Sequence, residues 1–194
     1  MHTIRVAVLA LALPIGLAAQ QPAAGSQANP ITGVFRGRTM GLQRNLASAF
    51  DSIPEAKFSY KPTPAQLSIG YIAQHLADDN YFFCNQFGEM KGTRAEKDTA
   101  TPDSVKATWP KAELVSKLKE SFDFCEKAFA QLDDAKLADQ ITMTFGGQSR
   151  NAPRAQMVLG HVIDMADHYS QIANYMRLNN LIPPTALPRP GGRN

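Results

Sequence analysis

The pattern that most restricts this fold is an apolar seam near the C-terminal end. Val158, Val162, Met165, Tyr169, Ile172 and Met176 follow one another at steps of four and three residues. That is one face of an α-helix, and no strand has this period. Asn151 followed by Pro153 supplies a start signal, and Asn179-Asn180 before Pro183-Pro184 supplies a left-handed cap and a stop. A helix is expected from about residue 151 to Leu178.

Three more stretches carry the same period. The first runs from Val34 to Ser52, with Leu42, Leu46, Ala49, Phe50 and Ile53 on one side, and Pro54 ends it. The second is expected to open at Thr63-Pro64, cap then proline, and to reach Phe87 along Ile69, Ile72, Leu76, Phe83 and Phe87. The third, Lys111 to Leu132, has the seam Leu114, Leu118, Phe122, Cys125, Phe129 and Leu132. A polar loop, Gly88 to Pro110, separates the second and third, with a short turn expected near Ser104 to Thr108 and Trp109 packed back on the helices. Ile141 to Phe145 is extended by propensity but is followed by Gly146-Gly147, and it is too short and isolated to count as a sheet. With 44% hydrophobic and 19% charged residues, the expected fold is all-α, a four-helix bundle. The bundle should occupy 33–185, after a flexible leader at 20–32 and before a flexible tail at 186–194.

Residues 1–19 read as a secretory signal peptide. Met1 to Arg5 is short and positive, Val6 to Leu17 is apolar, and Ala18-Ala19 offers small residues for cleavage. Export to the periplasm or the extracellular space is the expectation. There, Cys84 and Cys125 are a candidate disulfide, with two separate buried thiols as the alternative. Oxidation and the half-turn offset of Cys84 from His75 both argue against a nucleophilic cysteine. A formal charge of +3 gives no basic face for nucleic acid, and no apolar run beyond residue 20 is long enough to span a bilayer.

One residue ahead of the last seam runs a second row: Met157, His161, Asp164, His168, Gln171 and Tyr175. Asp164 and His168 are one turn apart, and His161 is only about 20° from His168 in projection. Imidazole and carboxylate at this spacing suit a divalent metal. His75 is the one histidine outside the leader and the last helix, which makes it the natural third ligand, with Asp78 or Asp79 placed to orient an imidazole. The competing reading is a solvated polar face, with His75 a satisfied core histidine. Tyr81 and Tyr175 are weaker candidates for holding a substrate.

Several pieces in this order resemble the DinB-like family of metal-binding four-helix proteins. They are Ile53 to Pro64, Gly70-Tyr-Ile-Ala-Gln-His75-Leu-Ala-Asp78, Asn80 to Cys84, and Asp167-His168-Tyr-Ser-Gln171 onward to Pro184. The resemblance implies an up-down-down-up bundle and a divalent ion, zinc or nickel before iron. It also implies one histidine from the second helix and two ligands from the fourth. His75 and His168 match two of these, and Asp164 stands where the family usually has histidine, with His161 as the backup ligand. The implied activity is that of a metal-dependent hydrolase or thiol S-transferase using metal-bound water or thiolate on a small-molecule substrate. A non-catalytic metal-binding or stress-related module is the alternative, and so is a purely structural bundle with a degraded site. A homodimer fits either.

Overall fold

A computed structural model describes residues 28–188, so the signal-peptide reading of 1–19 and the end of the tail lie outside the described residues. Four long helices carry the fold: α1 (Pro30–Ser52), α2 (Ile69–Phe87), α5 (Lys111–Ala130) and α6 (Arg154–Leu178). Two short ones, α3 (Glu96–Ala100) and α4 (Asp103–Lys106), lie in the loop between α2 and α5. In the bundle, α2 packs on α5 and α6, and α1 packs on the same two, so α1 and α2 sit diagonally. One half of the core is built from Leu46, Phe50, Ile72, Leu76, Leu118, Met165 and Ile172, all buried. The other half gathers Phe87, Phe129 and Val158 around Cys84 and Cys125.

The two sulfurs lie at disulfide distance, with a Cα–Cα separation of 5.4 Å, and tie α2 to α5. Closing a loop of 41 residues restricts the unfolded chain by about 4 kcal/mol in the chain-entropy picture.

The helix ends differ from expectation in three places. First, α1 begins at Pro30, inside the expected leader, because the Asp134 carboxylate accepts from the free backbone N–H groups of Ile31 and Thr32 at 3.0 and 2.7 Å. Second, α2 begins at Ile69, where Thr63-Pro64 had signalled a start. Thr63 to Gln66 closes only a turn, and Ser68 is the actual cap, its Oγ accepting from Tyr71 N at 3.1 Å. The N–H groups of Ile69 and Gly70 are taken by the carbonyls of Tyr60 and Phe58, so the start of α2 is pinned to the preceding connector. Third, Asn151 and Pro153 do not open α6.

They belong instead to a β-hairpin, which corrects the reading of 141–145 as an isolated extended stretch. Strands β1 (Gln140–Phe145) and β2 (Gln148–Pro153) pair antiparallel, with Phe145 opposite Gln148. Gly146 and Gly147 take φ of 56° and 78°, the left-handed pair that a two-residue hairpin turn demands. Met143 and Ala152 anchor the hairpin on the disulfide half of the core. At the far end of α6, Asn180 takes φ of 58° and Leu181 N reaches back to Met176 O, the left-handed cap expected there.

Candidate metal centre

Two helices each present one carboxylate and one imidazole a turn apart. On α2 the order is His75 then Asp79, and on α6 it is Asp164 then His168. Because residues four apart share a helix face, each pair points one way, and the α2–α6 contact brings the two faces together. His75 Nε2 is 3.2 Å from Asp79 Oδ2, and His168 Nε2 is 3.5 Å from Asp164 Oδ1. The two imidazoles meet edge to face with centroids 4.9 Å apart. One donor atom from each of the four residues falls within 4.8 Å of all the others. His168 is buried and the other three are half-buried.

Gln171 sets the tautomer of His168. Its Oε1, which can only accept, lies 3.0 Å from His168 Nδ1, so that nitrogen carries the proton and Nε2 turns its lone pair toward the cluster. The carboxyls of Asp79 and Asp164 face each other across the helix interface, with oxygens within 4.8 Å. Burial raises both, each to about 6, and at this separation the two carboxyls titrate together. Two neutral imidazole nitrogens and two carboxylates, converging from two rigid helices, fit a divalent transition metal or zinc, whose charge the carboxylates cancel.

Of the expected ligands, His75, Asp164 and His168 converge here. Asp79 joins them directly, where the sequence reading gave it only an orienting role. Its signal was present: the α2 spacing mirrors the α6 spacing. Asp78, the other orienting candidate, turns to the opposite side and is held by Arg94 and by the buried Lys106.

His161 is the correction. It lies on the same stripe as His168 but two turns away, about 10 Å along the helix. It is fully buried among Phe83, Phe87 and Phe129, with Nε2 2.8 Å from Asn80 Oδ1. It takes no part in this cluster. Tyr81 stacks on Phe124 beneath Arg94, and Tyr175 is buried edge-on to Tyr60; neither belongs to this cluster.

A cavity of about 720 Å³ lies at the start of α2, lined by Phe58, Tyr71, Trp109, Ser59, Lys61 and others. None of the four donor residues lines it. Tyr71 does, and its ring is 6.1 Å from that of His75 one turn on.

No curated protein matches the chain. Among solved structures, the chain resembles a DinB-like protein from Bacillus cereus, at 16% identity and a TM-score of 0.61, over 77% of this chain and 93% of that one. A conserved protein from Enterococcus faecalis gives 14% identity and 0.57 over 76% and 96%. The mycothiol-dependent maleylpyruvate isomerase gives 12% identity and 0.56 over 75% of this chain, which spans only 65% of the isomerase. At these identities the likeness is one of fold. The family model of the DinB superfamily matches residues 40–172, a span that includes most of each of the four long helices and all four donor residues. By that match the chain belongs to the DinB superfamily.

Proposed function

We propose that this protein holds one divalent metal ion, zinc, nickel or iron(II), between α2 and α6 through His75, Asp79, Asp164 and His168, and acts with it on a small-molecule substrate. The observation that supports this is the convergence of two imidazoles and two carboxylates within 4.8 Å on two helices. When bound, the ion supplies Lewis acidity, which polarises a substrate carbonyl or makes a water or thiol easier to deprotonate.

The chain's own residues do the remaining work. Gln171 keeps the proton of His168 on Nδ1, so the imidazole meets a cation as a donor. Asp79 and Asp164 retain a proton between them at low pH and release it to bind. Half-burial of the cluster keeps one side open to a substrate, and Tyr71 links that side to the neighbouring cavity.

The reaction class is hydrolysis or thiol transfer. Membership of the superfamily supports the second. The export pattern of residues 1–19 supports a place outside the cytoplasm, away from cytosolic thiol cofactors, and so favours the first. One observation supports a second reading, a metal-binding module without turnover: the 720 Å³ cavity is lined by none of the donors.

The test is metal content. The purified protein should carry close to one divalent ion per chain, and His168→Ala should abolish it. Asp164→Asn should weaken it, since an amide carries no charge to offset the cation. Elemental analysis that finds the same metal content in wild type and His168→Ala would overturn the site.

A further inference from the structure

A second cluster of ligand-type atoms lies in the core, away from the first. Cys84, Cys125 and His161 are all fully buried, and their donor atoms lie within 4.8 Å of one another. His161 Nε2 is 3.9 Å from Cys84 Sγ and 3.7 Å from Cys125 Sγ. Asn80 Oδ1 is 2.8 Å from the same nitrogen. We infer that the reduced chain has a second metal site, in which the thiolates of Cys84 and Cys125, the His161 imidazole and the Asn80 side-chain oxygen hold one soft divalent ion of the zinc class.

Spacing is the first support. Tetrahedral zinc with bonds of about 2.0–2.3 Å sets its donor atoms roughly 3.3–3.8 Å apart. The sulfur–nitrogen distances, 3.7 and 3.9 Å, lie close to that. The two sulfurs are too close and part once their bond is broken, and Asn80 Oδ1, 2.8 Å from Nε2, must draw back by about half an ångström as the hydrogen bond between them gives way to the ion.

Preorganisation is the second. Asn80 Nδ2 donates to Ser121 Oγ at 2.8 Å, and Ser121 Oγ donates to the Leu118 carbonyl at 2.7 Å. This chain fixes which end of the Asn80 amide faces His161, and it is the oxygen.

Charge is the third. Phe83, Phe87 and Phe129 surround the imidazole at 5.8–5.9 Å. Two bare thiolates in such a core are heavily penalised, whereas two thiolates on a divalent ion make a neutral centre. Burial pushes the His161 imidazole down to about 3, so it stays neutral and no proton competes for it. Nε2 now carries the hydrogen given to Asn80. On ligation that hydrogen moves to Nδ1, which is buried and has no partner of its own.

The balance is simple. A dithiol reductant gives two electrons and two protons to the Cys84–Cys125 bond and leaves as its own disulfide. The ion then displaces the two thiol protons to solvent. The site is therefore exclusive with the disulfide: the same two residues close α2 onto α5 either through a bond or through a metal.

The test uses the full chain carrying His75→Ala and His168→Ala, so that the first site and this one cannot be confused. The protein is reduced with dithiothreitol in mild denaturant, desalted under argon and refolded with zinc. The reduced form should take up one equivalent and the disulfide form none. Refolding with cobalt(II) should give a thiolate-to-cobalt charge-transfer band in the near ultraviolet, absent in Cys84→Ser. Circular dichroism follows folding. A reduced chain that folds without taking up the ion overturns the inference. So does one that zinc fails to fold, or uptake without the charge-transfer band.

Discussion

Asp79 and Asp164, on different helices, bring carboxylate oxygens within 4.8 Å of each other, and burial raises both carboxyls from 3.8 to about 6. Two such groups titrate as one unit. In the metal-free protein the folded state therefore binds protons more tightly than the unfolded chain. That stability is fully present below about pH 4 and is lost as pH rises through 6. Metal binding runs the opposite way, because the ion must displace the proton. Affinity should rise by about tenfold per pH unit for each proton displaced, up to about pH 6, and then level off. Competition titrations with a chelator at pH 5 to 7.5 measure this. Asp164→Asn should flatten both dependences, and an affinity independent of pH across that range would contradict the joint titration.

Gln171 acts on the cluster only through His168. Replacing it with leucine keeps the volume and removes the acceptor 3.0 Å from Nδ1. The imidazole is then free to place its proton on Nε2. Loss of such an outer partner typically costs 10–100-fold in metal affinity. Isothermal titration with zinc should show that loss in Gln171→Leu with the thermal midpoint of the metal-free protein nearly unchanged. An equal affinity would mean that the helix alone orients His168.

The sequence was most legible where one period ruled. The steps of four and three through Val158 to Met176 admit a helix and nothing else, and α6 ends at Leu178 as expected. It was least legible where local signals competed. Thr63-Pro64 has the form of a helix start, but the true start at Ser68 is set by carbonyls of Phe58 and Tyr60, which no local pattern reveals. The second hairpin strand is Gln-Ser-Arg-Asn-Ala-Pro, polar over its first four residues with only Ala152 buried, so it reads as loop.

The site divides along the same line. Convergence of His75, Asp164 and His168 follows from spacing plus one helix contact. Asp78 and Asp79 look alike in the sequence, yet they stand about 100° apart on α2. One faces the cluster and the other faces Arg94 and Lys106. His161 and His168 share a stripe, and only packing tells a core imidazole from a ligand.

Asn80 joins three helices by hydrogen bonds in the core, from His161 on α6 to Ser121 on α5. Alanine there leaves the buried His161 N–H without a partner and takes one donor from the Ser121 hydroxyl, which keeps its bond to the Leu118 carbonyl. The orphaned N–H costs about 1–3 kcal/mol and the lost bond about 1 kcal/mol more. Asn80→Ala should thus destabilise the disulfide form by about 2–4 kcal/mol in guanidinium denaturation, with an unchanged slope. A loss below about 0.5 kcal/mol would show that water replaces the amide.

Gly70 marks the point where the loop between α2 and α5 lies against the bundle. A Cβ at this position would collide with the backbone oxygen of Ala107, just after α4, and stand 3.3 Å from that of Phe58. Both neighbours are main chain and cannot swing aside, so the start of α2 or the α4 segment must move. Overpacking of this kind costs about 1–3 kcal/mol. The displacement falls beside the cavity that Tyr71 and Ala107 both line, one turn from His75. Gly70→Ala should therefore lower the thermal midpoint and also raise amide exchange across residues 103–110, while zinc uptake stays at the wild-type level. If exchange in that segment is unaltered, the loop is held by Lys106 and Trp109 and does not depend on the close approach at Gly70.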